Sequence, residues 1–158
     1  MFHPITMVAV PDTARQPVFA AAAFLQGQWG WSSGSNADTG DPEYSPVDSY
    51  ADAQIIKADL ACIIKEPANN EELEDIDNII VANARVIALE GAGLLIEDTE
   101  LGNRVNGDFT GATVGDAMVL TVSGFPTLDG ASDDPGAAAT VVARFRSYSG
   151  DAVIYVTQ

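Results

Sequence analysis

The feature that most limits what this chain can fold into is the punctuation of its stretch from Ile79 to Gln158. Short aliphatic and β-branched runs recur there: Ile79-Ile80-Val81, Val86-Ile87-Ala88-Leu89, Leu94-Leu95-Ile96, Ala117 to Val122, Val141 to Phe145 and Ala152 to Val156. Between them stand turn formers such as Gly91-Ala92-Gly93, Gly115-Asp116 and Ser149-Gly150-Asp151. Runs of this length, rich in residues that suit a pleated surface and broken at intervals by turn residues, predict an antiparallel sandwich or small barrel. The join from Ser147 to Asp151 is short enough to make the last two strands a hairpin. Thr157-Gln158 follows Val156 directly, so this end of the chain is expected to be held in the sheet.

The earlier part of the chain is less uniform. Pro4, Pro11, Pro17, Pro42 and Pro46 interrupt any helix that might start within the first fifty residues, which predicts extended structure. Pro17 to Trp31 reads as strand, turn and strand about Gln26-Gly27, or as a short alanine-rich helix over Val18 to Leu25. Ser32 to Ser49, rich in Ser, Gly, Asn, Asp and Pro, reads as a long surface loop. From Tyr50 to Glu66 the apolar positions Ile55, Ile56, Leu60, Ile63 and Ile64 fit neither the helical nor the strand period; strand is favoured. Glu66 to Asp77 places Pro and Asn ahead of crowded carboxylates, as a helix N-terminus favours, and predicts a short acidic helix or helical turn. The expectation is therefore a mainly β protein: a small antiparallel β-barrel or sandwich over residues 51–158, strongest over 79–158, preceded by an extended N-terminal arm and loop region over residues 1–50. A chain of 158 residues fits one such domain.

Charge narrows the partners. The chain has 23 Asp and Glu against 7 Lys and Arg, a formal net charge of −16. A polyanion would be repelled, so nucleic acid and anionic membrane are not expected partners, whereas a neutral or basic protein surface is. The single cysteine, Cys62, lies in the apolar run Leu60-Ala61-Cys62-Ile63-Ile64 and can form no internal disulfide; it is expected to be a small buried hydrophobe. Met1-Phe2-His3-Pro4 lacks the basic start of a secretory signal, and Ala20 to Ala23 is far too short to span a bilayer. These features predict a protein made and kept in a reducing interior unless a larger particle carries it out.

Reactive side chains are scarce. His3 is the only histidine, so one chain offers neither a histidine-containing triad nor a multi-histidine metal site. The apolar neighbours of Cys62 argue against a thiolate nucleophile. Glu97, Asp98 and Glu100 lie in a turn-like segment instead of facing each other across a sugar-binding cleft. The glycines near residues 91–93 and 102–107 match no phosphate-binding fingerprint. Asn36 to Glu43 and Asp129 to Asp134 cluster oxygens that calcium would accept, yet they lack helix-loop-helix spacing and are equally what turns use. No enzyme and no cofactor is expected, and recognition falls to apolar side chains in the first fifty residues: Phe2, Val8, Val10, Val18, Phe19, Phe24, Leu25, Trp29 and Trp31. The two tryptophans, one residue apart, share a side if extended, as core packing or as a contact anchor.

The pattern Val86 to Glu100, Val114 to Val122, Val141 to Phe145 and Gly150 to Val156, with a looser echo in Ala23 to Trp29, resembles β-barrel structural proteins of tailed-bacteriophage virions, and nearest among them the capsid decoration, or cement, proteins. The resemblance covers roughly the second half of the chain. It implies a small β domain bound at capsomer junctions on the capsid exterior, made in the host cytoplasm, with the major capsid protein as partner, a homo-oligomer, trimer favoured, and an arm reaching to a neighbour. The insert from Ser32 to Ser49 and the acidic segment after Glu66 depart from the smaller members. A tail, adaptor or fibre subunit of such a particle, and a calcium- or carbohydrate-binding β module, are the competing readings.

Overall fold

The computed structural model describes residues 6–9, 15–49, 52, 60–65, 79–106, 109–136, 139–150 and 152–158. Five strands close into a barrel: β2 (Arg15–Ala20), β4 (Trp29–Ser35), β5 (Pro42–Pro46), β6 (Leu60–Lys65) and β8 (Arg85–Leu89), in the order β2-β5-β4-β6-β8. Neighbours are antiparallel except β2 and β5, which run parallel with Phe19 against Glu43 and Ala20 against Tyr44. A six-stranded antiparallel sheet forms the second layer, from β1 (Thr6–Ala9), β9 (Leu95–Asp98), β10 (Ala117–Leu120), β11 (Pro126–Leu128), β12 (Val141–Ser149) and β13 (Ala152–Thr157), ordered β1-β9-β13-β12-β10-β11. Two short strands, β3 (Phe24–Leu25) and β7 (Ile79–Ile80), pair as a separate ribbon, and one helical turn, α1 (Leu101–Arg104), follows β9. The mainly β fold expected from the sequence is present, with a closed barrel and an open sheet joined in one molecule.

The join explains the sequence of β6 and β8. Alternate residues of a strand face opposite sides, and here both sides are buried. Ala61 and Ile63 of β6, with Val86 and Ala88 of β8, fill the barrel together with Val18, Ala20 and Tyr44. Cys62 and Ile64, with Ile87 and Leu89, face the other way and pack against Ile96, Met118, Leu120, Phe145 and Tyr155 of the sheet. A strand buried on both faces needs apolar residues at every position, so it reads as a continuous run and shows no period. The barrel has only five staves and a narrow bore, so Ala20, Ala61 and Ala88 leave room for the larger Phe24, Tyr44 and Ile63. At Gly30 a Cβ would stand 2.7 Å from Ser45 O and 2.8 Å from the Phe24 ring.

Several expectations change. Residues 15–47 do not form an arm or a loop; they supply β2, β4 and β5 as barrel wall, because their apolar positions alternate inward once the barrel closes. Val18 to Leu25 is strand and turn, not helix, and Ser32 to Ser49 is largely the β4–β5 hairpin. Strands β12 and β13 do form the expected hairpin, with Ser149 opposite Ala152, and Gln158 N–H bonds to Val142 O. The segments 1–5, 50–51, 53–59 and 66–78, including the expected acidic helix, lie outside the described residues.

Barrel and sheet also meet through backbone. Trp29 N–H donates to Gly124 O at 2.8 Å, while Trp29 O accepts Val47 N–H at 3.0 Å in continuation of the β4–β5 pairing within the barrel. Gly124 has φ +78°, and a Cβ there would lie 2.7 Å from Val47 O and 2.9 Å from Gln28 Cγ. We expect Gly124→Ala to cost about 2–4 kcal/mol from backbone strain plus overlap. Gly130→Ala, at φ +87° with nothing near its Cβ, should cost only about 1–2 kcal/mol for the left-handed backbone. Urea midpoints of the two variants measure the difference; equal losses would refute the tight approach at Gly124.

Candidate functional site

The titratable groups best hidden from water gather where the barrel meets the sheet. Asp98 ends β9, two residues beyond the core residue Ile96, so strand alternation turns its carboxylate inward; it is 0 % exposed. Its Oδ1 accepts Glu100 N–H at 2.9 Å, which tightens the turn into α1. That turn returns Arg104, whose NH1 stands 3.4 Å from Asp98 Oδ2 and donates to Gln26 O at 3.1 Å, with the guanidinium 4.8 Å from the Phe125 ring centre. One side chain therefore ties the sheet, the barrel entrance and the β10–β11 turn. Beside it the Gln26 side chain accepts Lys65 N–H at 2.8 Å, and Gln28 donates to Ser123 O at 2.9 Å while accepting Leu25 N–H at 3.0 Å.

Cys62 and Tyr155 complete the cluster. The Cys62 thiol points at Gly27 O, 3.5 Å away, and burial pushes its pKa far up, with the Asp98 charge adding to the effect. Burial likewise raises the Tyr155 hydroxyl well above its ordinary range. That hydroxyl lies near Trp29 and Cys62, yet neither it nor the Trp29 indole N–H reaches hydrogen-bonding geometry with a partner. Burial also moves the Asp98 carboxyl, up to about 6, against the pull of Arg104 and of the Glu100 and Leu101 N–H groups. A thiol held protonated is not a nucleophile, and no group of this cluster opens to a substrate.

The two oxygen-rich segments weighed as calcium sites are committed to turns. Asn36 Oδ1 accepts the N–H groups of Asp38 and Thr39 at 3.0 and 3.2 Å, and its amide donates to Glu43. Asp133 accepts Asn106 N–H and the Thr127 hydroxyl, while Asp134 accepts Gly130 and Gly136 N–H at 2.6 and 2.7 Å. Among the described residues no three His, Cys, Asp or Glu side chains come together as metal ligands.

The apolar residues singled out for partner binding separate into groups. Val18, Phe24 and Trp29 are core residues, Phe19 and Trp31 are half-buried, and Trp31 packs on the core between the layers. Val8 lies on β1, while Phe2 and Val10 are outside the described residues. Leu25 is exposed, at 41 %. A groove of roughly 330 Å³ runs past Leu60, Glu90, Thr140 and Gln158, with Trp29 in its wall. A sugar platform needs an open ring face, and Trp29 is 4 % exposed.

Sequence reasoning passed over the Asp98–Arg104 pair, reading Asp98 with Glu97 and Glu100 as part of a turn-like segment. The signal was the alternation from Ile96. It also passed over Ile79 and Val81 as surface residues. No protein-family model matches the chain, and no curated protein matches it.

The raised carboxyl makes stability depend on pH with a definite sign. The folded protein binds the Asp98 proton more tightly than the unfolded chain, whose carboxyl keeps the ordinary value of 3.8. The resulting stabilisation is complete only below about pH 3, is mostly present at pH 4, and is lost as pH rises through about 6. Asp98→Asn has no such titration. The stability of the wild type relative to Asp98→Asn should therefore increase by roughly 2 kcal/mol between pH 7 and pH 4. Urea unfolding of both proteins at the two pH values tests this, and a difference that does not change with pH contradicts it.

Proposed function

We propose that this protein is a non-catalytic virion component that binds the outer surface of an assembled tailed-phage capsid, contacts the major capsid protein and stabilises the shell. The observation that carries the reading is how the molecule divides its chemistry. Cys62, Asp98 and Tyr155 are each 0 % exposed and serve the seam between barrel and sheet, while the surface of the described residues presents turns, strand edges, scattered carboxylates and a few exposed apolar residues. A molecule so arranged offers shape and surface rather than proton transfer or nucleophilic attack.

Charge supports the same reading. A formal charge of −16 keeps separate copies apart in solution and favours a neutral or basic acceptor. A protein that binds only the expanded lattice stabilises it by mass action, about 2.7 kcal/mol per site at a hundredfold excess over Kd. Repetition over a lattice multiplies that small effect. The resemblance to cement proteins adds the site on the capsid exterior and a homo-oligomer, with a trimer favoured.

The purified chain, added to expanded empty heads of the virus that encodes it, should bind to a saturating stoichiometry of hundreds of copies and raise the temperature at which the heads break. A few copies per particle would point to a tail, adaptor or fibre subunit. Binding to no virion component would end the proposal.

A further inference from the structure

Strand alternation gives the six-stranded sheet an outer side, facing away from the barrel, that the core does not use. On β13 the inward residues Val153 and Tyr155 are 0 % exposed, while Ala152, Ile154 and Val156 are half-buried. On β9 Leu95 and Glu97 face outward in the same way, with Glu97 opposite Ile154 and Leu95 opposite Val156. On β12 Arg144 stands opposite Val156, its guanidinium held by Gln158 Oε1 at 3.1 Å and Gly115 O at 3.3 Å. Ser147 stands opposite Ile154, and the bulge between Phe145 and Ser147 sets Arg146 beside it as an extra, exposed residue. The outer side of β10 and β11 is occupied instead: Val119 and Thr127 are 1 % and 0 % exposed, and the Thr127 hydroxyl donates to Asp133 at 2.8 Å. What remains on β9, β13 and β12 is an aliphatic centre with a carboxylate on one flank and two guanidiniums on the other. Neither Glu97 nor Arg146 has an ion-pair partner among the described residues.

We infer that two copies of this chain meet on that outer side, about a two-fold axis running along β13. Such a rotation lays Ile154 and Val156 of one copy on those of the other and exchanges the flanks, so that Glu97 of each copy comes opposite Arg146 of the other. Sheets packed face to face lie about 10 Å apart, a gap that a glutamate and an arginine side chain bridge together. A two-fold contact requires a face that complements itself. The order carboxylate, aliphatic, guanidinium across three neighbouring strands meets that requirement. Charge selects the same occupant. The formal charge of −16 holds copies apart elsewhere, but the outer side of these three strands carries two cations against one carboxylate, so an acidic copy is drawn in and a basic acceptor is repelled. This contact is therefore independent of the capsid-binding reading, and a two-fold pair is a different assembly from the trimer that the resemblance implies.

Charge reversal tests the pairing, with analytical ultracentrifugation of the purified chain as readout and circular dichroism to verify that each variant is folded. Wild type should be a dimer at micromolar concentration. Glu97→Arg and Arg146→Glu should each weaken dimerisation about tenfold or more, because like charges then face each other. The double variant exchanges the two charges and should recover the dimer. Glu97→Arg is the decisive single change, since it lowers the net charge that separates copies and would strengthen any association that lacked this pair. Wild type that is monomeric or trimeric, a dimer that survives both single reversals, or a folded double variant that stays monomeric overturns the inference. Each of these outcomes leaves binding to capsids untouched, and failure to bind capsids leaves this contact untouched.

Discussion

Everything in this fold depends on β6 and β8 being buried on both faces. Each serves at once as a barrel stave and as the floor on which the six-stranded sheet packs. The barrel alone would leave Cys62, Ile64, Ile87 and Leu89 in water, and the sheet alone would leave Met118, Leu120, Phe145 and Tyr155 there. Neither half is complete without the other, which couples the strands of residues 15–49 to those of 79–158 in one cooperative unit. The Trp29–Gly124 backbone bond closes the same joint where side chains leave no room.

A seam of this kind has to be aligned as well as filled. Aliphatic contact is tolerant of small rotations, since it depends on area and not on direction. Arg104 is not tolerant: it meets the Asp98 carboxylate, the Gln26 carbonyl and the Phe125 ring together only in one docking of sheet on barrel. Burying the pair is costly, and such pairs are weak sources of net stability. The raised Asp98 carboxyl reflects that cost directly. The arrangement therefore makes sense as a device for orientation, placed at the one level where the β9 turn, the barrel entrance and the β10–β11 turn converge.

How much of this was legible in the sequence follows from the same geometry. The strands with one buried face announced themselves: β13 alternates buried and half-buried residues from Ala152 to Thr157, and its hairpin with β12 follows from Gly150. The two-faced strands hid, because a strand apolar at Cys62, Ile63 and Ile64 shows no period and only its partners reveal why. The barrel's share of the first fifty residues hid for a different reason. Its bore is so narrow that Ala20 and Gly30 count as core, and alanine and glycine carry no hydrophobic signal of their own. Trp29 and Trp31 were readable as a pair on one side, but not which layer they faced. Asp98 was legible only to strict alternation, since its neighbours Glu97 and Glu100 make the segment look turn-like.

The same distribution also constrains how the molecule can meet another. Val18, Phe24 and Trp29 are spent on the core, so these three apolar side chains of the first fifty residues are not free to meet a partner. A formal charge of −16 makes copies repel one another at long range and favours the approach of a neutral or basic surface over an acidic one. Phe24 and Ile80 fix the β3–β7 ribbon in the barrel core, so any contact on its outer side would order little that is not ordered already. Affinity per unit of apolar surface is highest when the binding face is rigid beforehand, and the double-layered core supplies that rigidity.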